Sequence, residues 1–575
     1  MPNNRLNTLL VCTVCYTVTT IFYVYTLLPS LAWGDGVKLQ SEAIAGESFV
    51  IAEMTPSEFS PDPFIFSKVG VAAWDHPLYI VLGHLLVKAF PFIDSLWLVN
   101  LISAIFGAAS VAVLFLISYR FTHSLLASCY ASFSLAVSHT FWWHSSTPEV
   151  YTLFTFLLLV SFIFFDQFER TDKSIFLAGS AFFLGSAAST HILAFLAFPA
   201  LGLYYLLSKS YRCFHLSCTL SLRGGRSSRR SNLPSLVRDC FGKNTLAMTK
   251  PFLGFLVGFS LYIIQSIRMS ANFPLNEIMG PVVGSTFLSQ LGTLSPILLG
   301  ESLLNYLFFL TIQFGPVGLV LGVLGIRQIF KDKDLSLRKI VSFFMMFALF
   351  GIFYRVTDQF TFFIASYVFW AIMMGIGSVY TFQVIPEKRR FLLPVVLGLL
   401  LLITPFFYNS LPRMAERIGL DDASIEIPQI GIGIRDGLAY YINPNKRGDY
   451  QAFDFGEQTI SNLEPDSIVI AEWYTDTDEY FILRYFTKVQ KVRSDVTVLG
   501  WPTHDPFTFD SQQVLQVIEE SFPQRPIYLA SLSEKYYEAS KLIEKYCIVP
   551  ENNLYRLYQK ENTNLQCLEN DAVTE

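Results

Sequence analysis

Before about residue 411 the chain alternates long apolar runs with short polar breaks, and each run is close to the ~20 residues a helix needs to cross a bilayer. The runs fall near 8–30, 96–119, 124–142, 149–165, 175–190, 192–208, 251–268, 302–326, 340–354, 361–384 and 391–411. They predict about 11 helical spans.

Beyond that point the pattern changes. Ser467-Ile-Val-Ile-Ala-Glu472, Val496-Thr-Val-Leu499, Pro526-Ile-Tyr-Leu-Ala530 and Leu554–Tyr558 read as strands. Asp478–Thr487, Ser511–Ser521 and Ser533–Lys545 between them read as helices. This alternation predicts βαβ units and a mostly parallel sheet. No Gly-x-Gly-x-x-Gly follows a strand, which argues against dinucleotide binding. The predicted fold class is a polytopic α-helical membrane domain, 1–411, followed by a soluble α/β domain, 412–575. The second reads as an accessory that binds or positions something at the membrane surface.

Composition agrees, with 52% hydrophobic and only 15% charged residues, where a soluble chain carries roughly 25% charged. The net charge of −5 averages two unlike regions and points to no partner. The first run follows Arg5 and has no small-residue cleavage site, so it reads as a retained span. Val11 before Cys12 argues against a lipoprotein site.

The distribution of Lys and Arg orients the spans. An odd number of crossings puts the termini on opposite sides. With the N-terminus inside, the inner segments hold 21 Lys and Arg and the outer loops 5, so the N-terminus is expected in the cytoplasm. The basic loop 209–250, with Arg-Gly-Gly-Arg-Ser-Ser-Arg-Arg at 223–230, then reads as a topology anchor beside anionic lipid, not as a nucleic-acid patch. The loop 34–95 and residues 412–575 are expected outside. There, Cys547 and Cys567 lie where a disulfide is permitted, whereas Cys12-x-x-Cys15 in an apolar helix reads as packing.

The outer face collects the ionisable residues other than Lys and Arg that lie near span ends. Asp35, Asp75, His76, His144, Glu149, His191, Arg355 and Asp358 are the candidates, because costly groups close to hydrocarbon tend to line a cavity. Gly34-Asp35-Gly36 opens the first outer loop; its glycines allow close backbone approach and leave the carboxylate exposed. A turn or helix cap is the plainer use of such a tripeptide. Pro77–Phe90 reads as an interfacial amphipathic helix.

The order of these features resembles the GT-C superfamily of membrane glycosyltransferases. More narrowly it is similar to the family containing the IPT-domain protein O-mannosyltransferase and related bacterial proteins. The matching stretches are Pro29-Ser-Leu-Ala-Trp-Gly-Asp35-Gly, Asp75-His-Pro-Leu-Tyr79, Pro148-Glu149-Val-Tyr151, Ser189-Thr-His191, Asp358-Gln-Phe and Asp495-Val-Thr-Val. The chain departs at Gly36-Val37-Lys38, where the family has Ser/Pro-Gly-Glu, at His76-Pro77-Leu78 and at Ser189-Thr190-His191. The resemblance implies a polyprenyl-phosphate sugar donor, a protein or lipid/glycan acceptor, and Asp35 as catalytic base. It also supports Glu149 and His191 as cavity residues.

Transfer chemistry suits these groups. An acceptor hydroxyl must surrender its proton as it attacks the anomeric carbon, which a carboxylate accepts. The leaving phosphate calls for a cation or donor, for which Arg355 and Arg268 are the outer-side arginines ahead of the soluble domain. His76, His144 and His191 suit phosphate binding or proton transfer, or serve as hydrogen-bonded interfacial residues. Metal-ligand spacing is absent, so no divalent ion is assigned as cofactor. A secondary transporter is the main alternative, but it lacks support from an inverted repeat or mid-span charge. A non-catalytic scaffold with an extracytoplasmic binding domain is the other. The chain has no Asn-x-Ser/Thr, which favours a bacterial plasma membrane over the ER.

Overall fold

Long apolar segments in a medium without water must satisfy their own backbone groups, and helices result. A computed structural model of the chain describes residues 2–46, 76–208, 245–270, 296–354, 356, 358–420, 437–471, 479–500, 511–522, 524–560, 565–569 and 572–573. Its first half comprises α1 (Pro2–Tyr25), α2 (Asp35–Ala45), α3 (Pro77–Ala89), α4 (Ser95–Thr122), α5 (Leu125–Ala136), α6 (His139–Ser146), α7 (Tyr151–Thr171) and α8 (Ser174–Ala188). Among the described residues, 7 helices are long and apolar enough to cross a membrane. The pair Thr249–Gly258 and Ser260–Arg268, bent by 58°, makes an eighth if it is one span. The other three predicted runs meet shorter apolar helices, Leu125–Ala136, Ser174–Ala188 and Ile192–Ser208.

The basic ends of separate spans meet on one carboxylate. Lys339, fully buried, reaches Asp166 and Glu169 at 2.6 Å each, while Arg170 and Arg120 approach Asp166 at 2.8 and 3.5 Å. Three cations assigned to one side of the membrane thus lie at one end of the bundle. The helix Pro296–Lys331 breaks at Gly315 (φ 64°) before Pro316. Proline cannot donate to the Ile312 carbonyl four residues back; the Tyr408 hydroxyl donates to it instead, at 2.6 Å.

The C-terminal sheet has strand order β2-β1-β3-β5-β4, with β1 (Ile468–Ile470), β2 (Thr497–Leu499), β3 (Ile527–Leu529), β4 (Tyr546–Glu551) and β5 (Leu554–Gln559). The first three strands are parallel, as the alternation predicts, while β4 and β5 form an antiparallel hairpin on β3. β4 is not evident from sequence, because Pro550 and Glu551 obscure a strand pattern. A Cys547–Cys567 disulfide ties β4 to the chain end.

This domain shares a core with the helical half. Leu31, Trp33, Val37, Leu96 and Trp143 cluster with Tyr440, Phe455, Tyr480 and Phe481. Polar contacts reinforce the seam: His139 Nε2 donates to the carbonyls of Tyr441 and Ile442 at 2.9 and 3.0 Å, and Trp143 Nε1 donates to Tyr440 O at 3.2 Å. The Lys446 amide donates to Thr26 O at 3.0 Å.

Candidate functional site

Asp35 stands on a polar framework. After α1 the chain runs irregularly to Gly34, and its carbonyls need partners at a depth where none comes from water. Gln40 supplies two contacts, accepting from the Ala32 amide at 2.9 Å and donating to Ser30 O at 3.0 Å. Gln40 also donates to Asn100 Oδ1 at 2.7 Å, and Asn100 donates to Leu28 O and Ser30 O at 2.9 and 3.0 Å. Gly34 then adopts φ 66°, ψ −148°, a region open essentially to glycine alone. The next residue, Asp35, begins α2, where the helix dipole favours a carboxylate. It is exposed, while Gly36 and Val37 beside it are buried. The segment reads from sequence as loop, whereas the structure folds it into α2.

Glu149 is fixed through its backbone. Its amide donates to Ser103 Oγ at 2.9 Å, and that hydroxyl lies 3.0 Å from Glu149 O. Ser103 also meets the Tyr79 hydroxyl at 3.2 Å. The α3 helix, read from sequence as interfacial, therefore buries Tyr79 and Ile80 and braces the Glu149 loop. Burial, followed by the charges of Asp35 and Asp358, holds the Glu149 carboxyl well above its ordinary range. The three acids come from three separate segments, and Asp35 and Asp358 both act electrostatically on Glu149.

The histidines form a second layer. The rings of His76 and His191 stack with centroids 5.2 Å apart and planes 14° apart. His191 Nδ1 accepts from the Leu193 amide at 3.1 Å, so the proton of its neutral ring sits on Nε2. His76 Nδ1 bonds to Thr190 O at 2.7 Å and must be the donor there. Burial and the neighbouring His76 charge keep His191 well below its usual value. His144, 1% exposed, lies 3.1 Å through Nε2 from Thr361 Oγ1. Burial and the His139 charge push it down to about 3. Both imidazoles are neutral at physiological pH.

Tyr151 joins the layers. Its ring centroid lies 4.8 Å from His144, 5.1 Å from His191 and 6.1 Å from Phe362. In the sequence Tyr151 stands out only within Pro148-Glu149-Val-Tyr; its place at the first residue of α7 is the signal that marks it. Six candidates are therefore gathered: Asp35, His76, His144, Glu149, His191 and Asp358. Asp75 and Arg355 lie outside the described residues. Arg268 is exposed at the end of the helix Ser260–Met269 and joins none of these contacts. Among the described residues, no three His, Cys, Asp or Glu side chains are gathered closely enough to hold a metal ion.

A helical membrane domain whose end carries acids and histidines, capped by a small α/β domain, is a GT-C-like fold. Residues 75–213 match the family described as the protein O-mannosyl-transferase TMEM260 N-terminal domain. Over nearly the whole chain the fold is similar to ArnT from Cupriavidus metallidurans bound to undecaprenyl phosphate. That likeness has TM-score 0.56 and 12% identity, covering 96% of this chain and 97% of that one. ArnT from the same organism in the apo state gives TM-score 0.51 and 11% identity over 97% and 98% of the two chains. No curated protein sequence matches the chain.

Proposed function

We propose that the protein is a membrane glycosyltransferase that moves a sugar from a polyprenyl-phosphate donor to a hydroxyl of a protein or a lipid/glycan acceptor. The observation that carries this reading is the convergence of Asp35, Glu149 and Asp358 beside the paired imidazoles of His76 and His191. The similarity to ArnT, a structure bound to undecaprenyl phosphate, and to the TMEM260 family supports the donor class.

Asp35 is the base. The acceptor oxygen forms a bond to the anomeric carbon as the bond from that carbon to the phosphate oxygen breaks. The acceptor proton passes to the Asp35 carboxylate, and polyprenyl phosphate leaves with the bonding pair. Glu149, held neutral, donates a hydrogen bond to the donor. The Nε2–H of His191 stands ready for the departing phosphate, whose developing charge it stabilises. Tyr151 fixes the imidazoles that flank it. Asp75 and Arg355, adjoining the gathered residues in sequence, complete the proposed binding set.

The count of basic residues supports a cytoplasmic N-terminus, with the site and the C-terminal domain on the other face of a bacterial plasma membrane. The C-terminal domain, 412–575, is the accessory wall of the site, since its segment 437–447 is bonded to α6. Its shared core with Trp33 and Val37 flanks Asp35.

The test uses purified full-length protein with a labelled polyprenyl-phosphate mannose and reads release of polyprenyl phosphate. Asp35→Asn is expected to slow release by about 10²–10⁴-fold, the contribution of a positioned base, while its thermal midpoint stays near the parent's. Equal rates for the two proteins would remove Asp35 from the mechanism.

A further inference from the structure

A crevice of about 490 Å³ opens at the end of the bundle away from Asp35, a size typical of small-ligand sites. One wall is α5; the others are the helix Ile364–Val384 and the last apolar helix, Leu392–Arg417. Leu393, Leu397 and Leu401, spaced by four, turn one stripe of the last helix toward it. Val395, Leu399 and Leu402 elsewhere on that helix are exposed and apolar, as a lipid-facing surface should be.

Polar side chains line the crevice on two sides, with Tyr130 deeper on α5. Thr122, His123 and Ser124 stand on one side and Ser378 and Gln383 on the other. From Leu393 at the mouth to Leu401 the crevice runs eight residues, about 12 Å at the rise of an α-helix. That is close to the ~15 Å of one leaflet's hydrocarbon. Lys388, Arg389 and Arg390 lie in the turn joining the two helices at the same end. The Arg390 guanidinium sits 5.6 Å above the ring of Phe382, itself a lining residue.

We infer that this crevice is a binding site for an anionic glycerophospholipid, with one acyl chain along the Leu393–Leu401 stripe and the phosphate against Arg390 and Lys388. An apolar slot one leaflet deep takes a chain, and three cations at its mouth select a negative headgroup. The site is separate from the transfer chemistry and does not depend on it.

Gly398 provides the test. It lines the crevice, and a Cβ built there meets nothing within 4 Å, so a large side chain fits at the crevice wall without moving the backbone. The experiment measures the lipid retained by full-length protein in native mass spectra. It also measures the thermal midpoint in nanodiscs of phosphatidylcholine with or without phosphatidylglycerol. The parent is expected to retain an anionic phospholipid and to melt higher with phosphatidylglycerol present. Gly398→Phe should lose the retained lipid and most of that difference. Arg390→Gln should weaken phosphatidylglycerol binding about fivefold, the factor for one basic residue near a lipid headgroup, and leave phosphatidylcholine binding unchanged. Unaltered retention in Gly398→Phe, or retention of a polyprenyl or zwitterionic lipid by the parent, would overturn the assignment.

Discussion

A Cβ built on Gly36 would lie 3.1 Å from Cγ of Pro148 and 2.7 Å from Cβ of Ala32. The first turn of α2 therefore reaches the loop that carries Glu149 because residue 36 has no side chain. Gly36→Ala forces that turn outward by a few tenths of an ångström and takes Asp35 with it. Displacements up to ~1 Å can cost roughly 10²-fold in rate, so release of polyprenyl phosphate should fall by about 10- to 100-fold with the fold retained. Donor release and a thermal melt measured on the same preparation check this; unchanged release would mean that the approach of α2 to Pro148 is not needed.

Two buried groups give stability opposite dependences on pH. Glu149 titrates higher in the folded chain than in the unfolded one, so the unfolded chain loses that proton first as pH rises above the ordinary carboxyl range, and stability falls. His144 titrates near 3 when folded, so below about pH 6.5 the unfolded chain binds that proton first and stability falls toward acid. Glu149→Gln should flatten the loss on the alkaline side, and His144→Gln the loss on the acid side. Midpoints measured from pH 4 to 9 for the three proteins decide the matter.

The two nitrogens of His191 do separable work. Asn places a carbonyl oxygen where Nδ1 accepts from the Leu193 amide, while Gln reaches toward the Nε2 position. His191→Asn should keep the midpoint yet lower kcat, because the donor for the leaving phosphate is gone. His191→Gln should lose the cap, about 1 kcal/mol, and keep more of the activity. If both variants keep parental kcat, Nε2 has no part in transfer.

The Cys547–Cys567 bridge closes a loop of 20 residues, which restricts the unfolded chain by about 3 kcal/mol in the chain-entropy account. Cys567→Ser should make the β4–β5 hairpin exchange its amide hydrogens faster by at least tenfold. Exchange in α4 and α7, remote from it in the fold, should not change.

Much of this protein was legible along the chain because a bilayer imposes simple rules. Length and apolarity marked eleven runs, of which 7, or 8 with the bent pair, are helices long and apolar enough to cross a membrane among the described residues, and the Lys and Arg count grouped Arg120, Arg170 and Lys339, which the structure joins on Asp166 and Glu169. The same rules gathered Asp35, His76, His144, Glu149, His191 and Asp358 on one face, and βα alternation gave the parallel strands β1 to β3. They could not say that Asp35 begins a helix, because α2 forms where Gln40 and Asn100 satisfy the chain before it, contacts 8 to 72 residues apart in sequence. Nor could they reveal Tyr151 as the hub of the histidines, or the docking of Tyr440 and Tyr441 on α6 some 300 residues earlier. Membership of a face follows from local periodicity and charge; distance within that face depends on packing between segments remote in sequence, which only the tertiary structure decides.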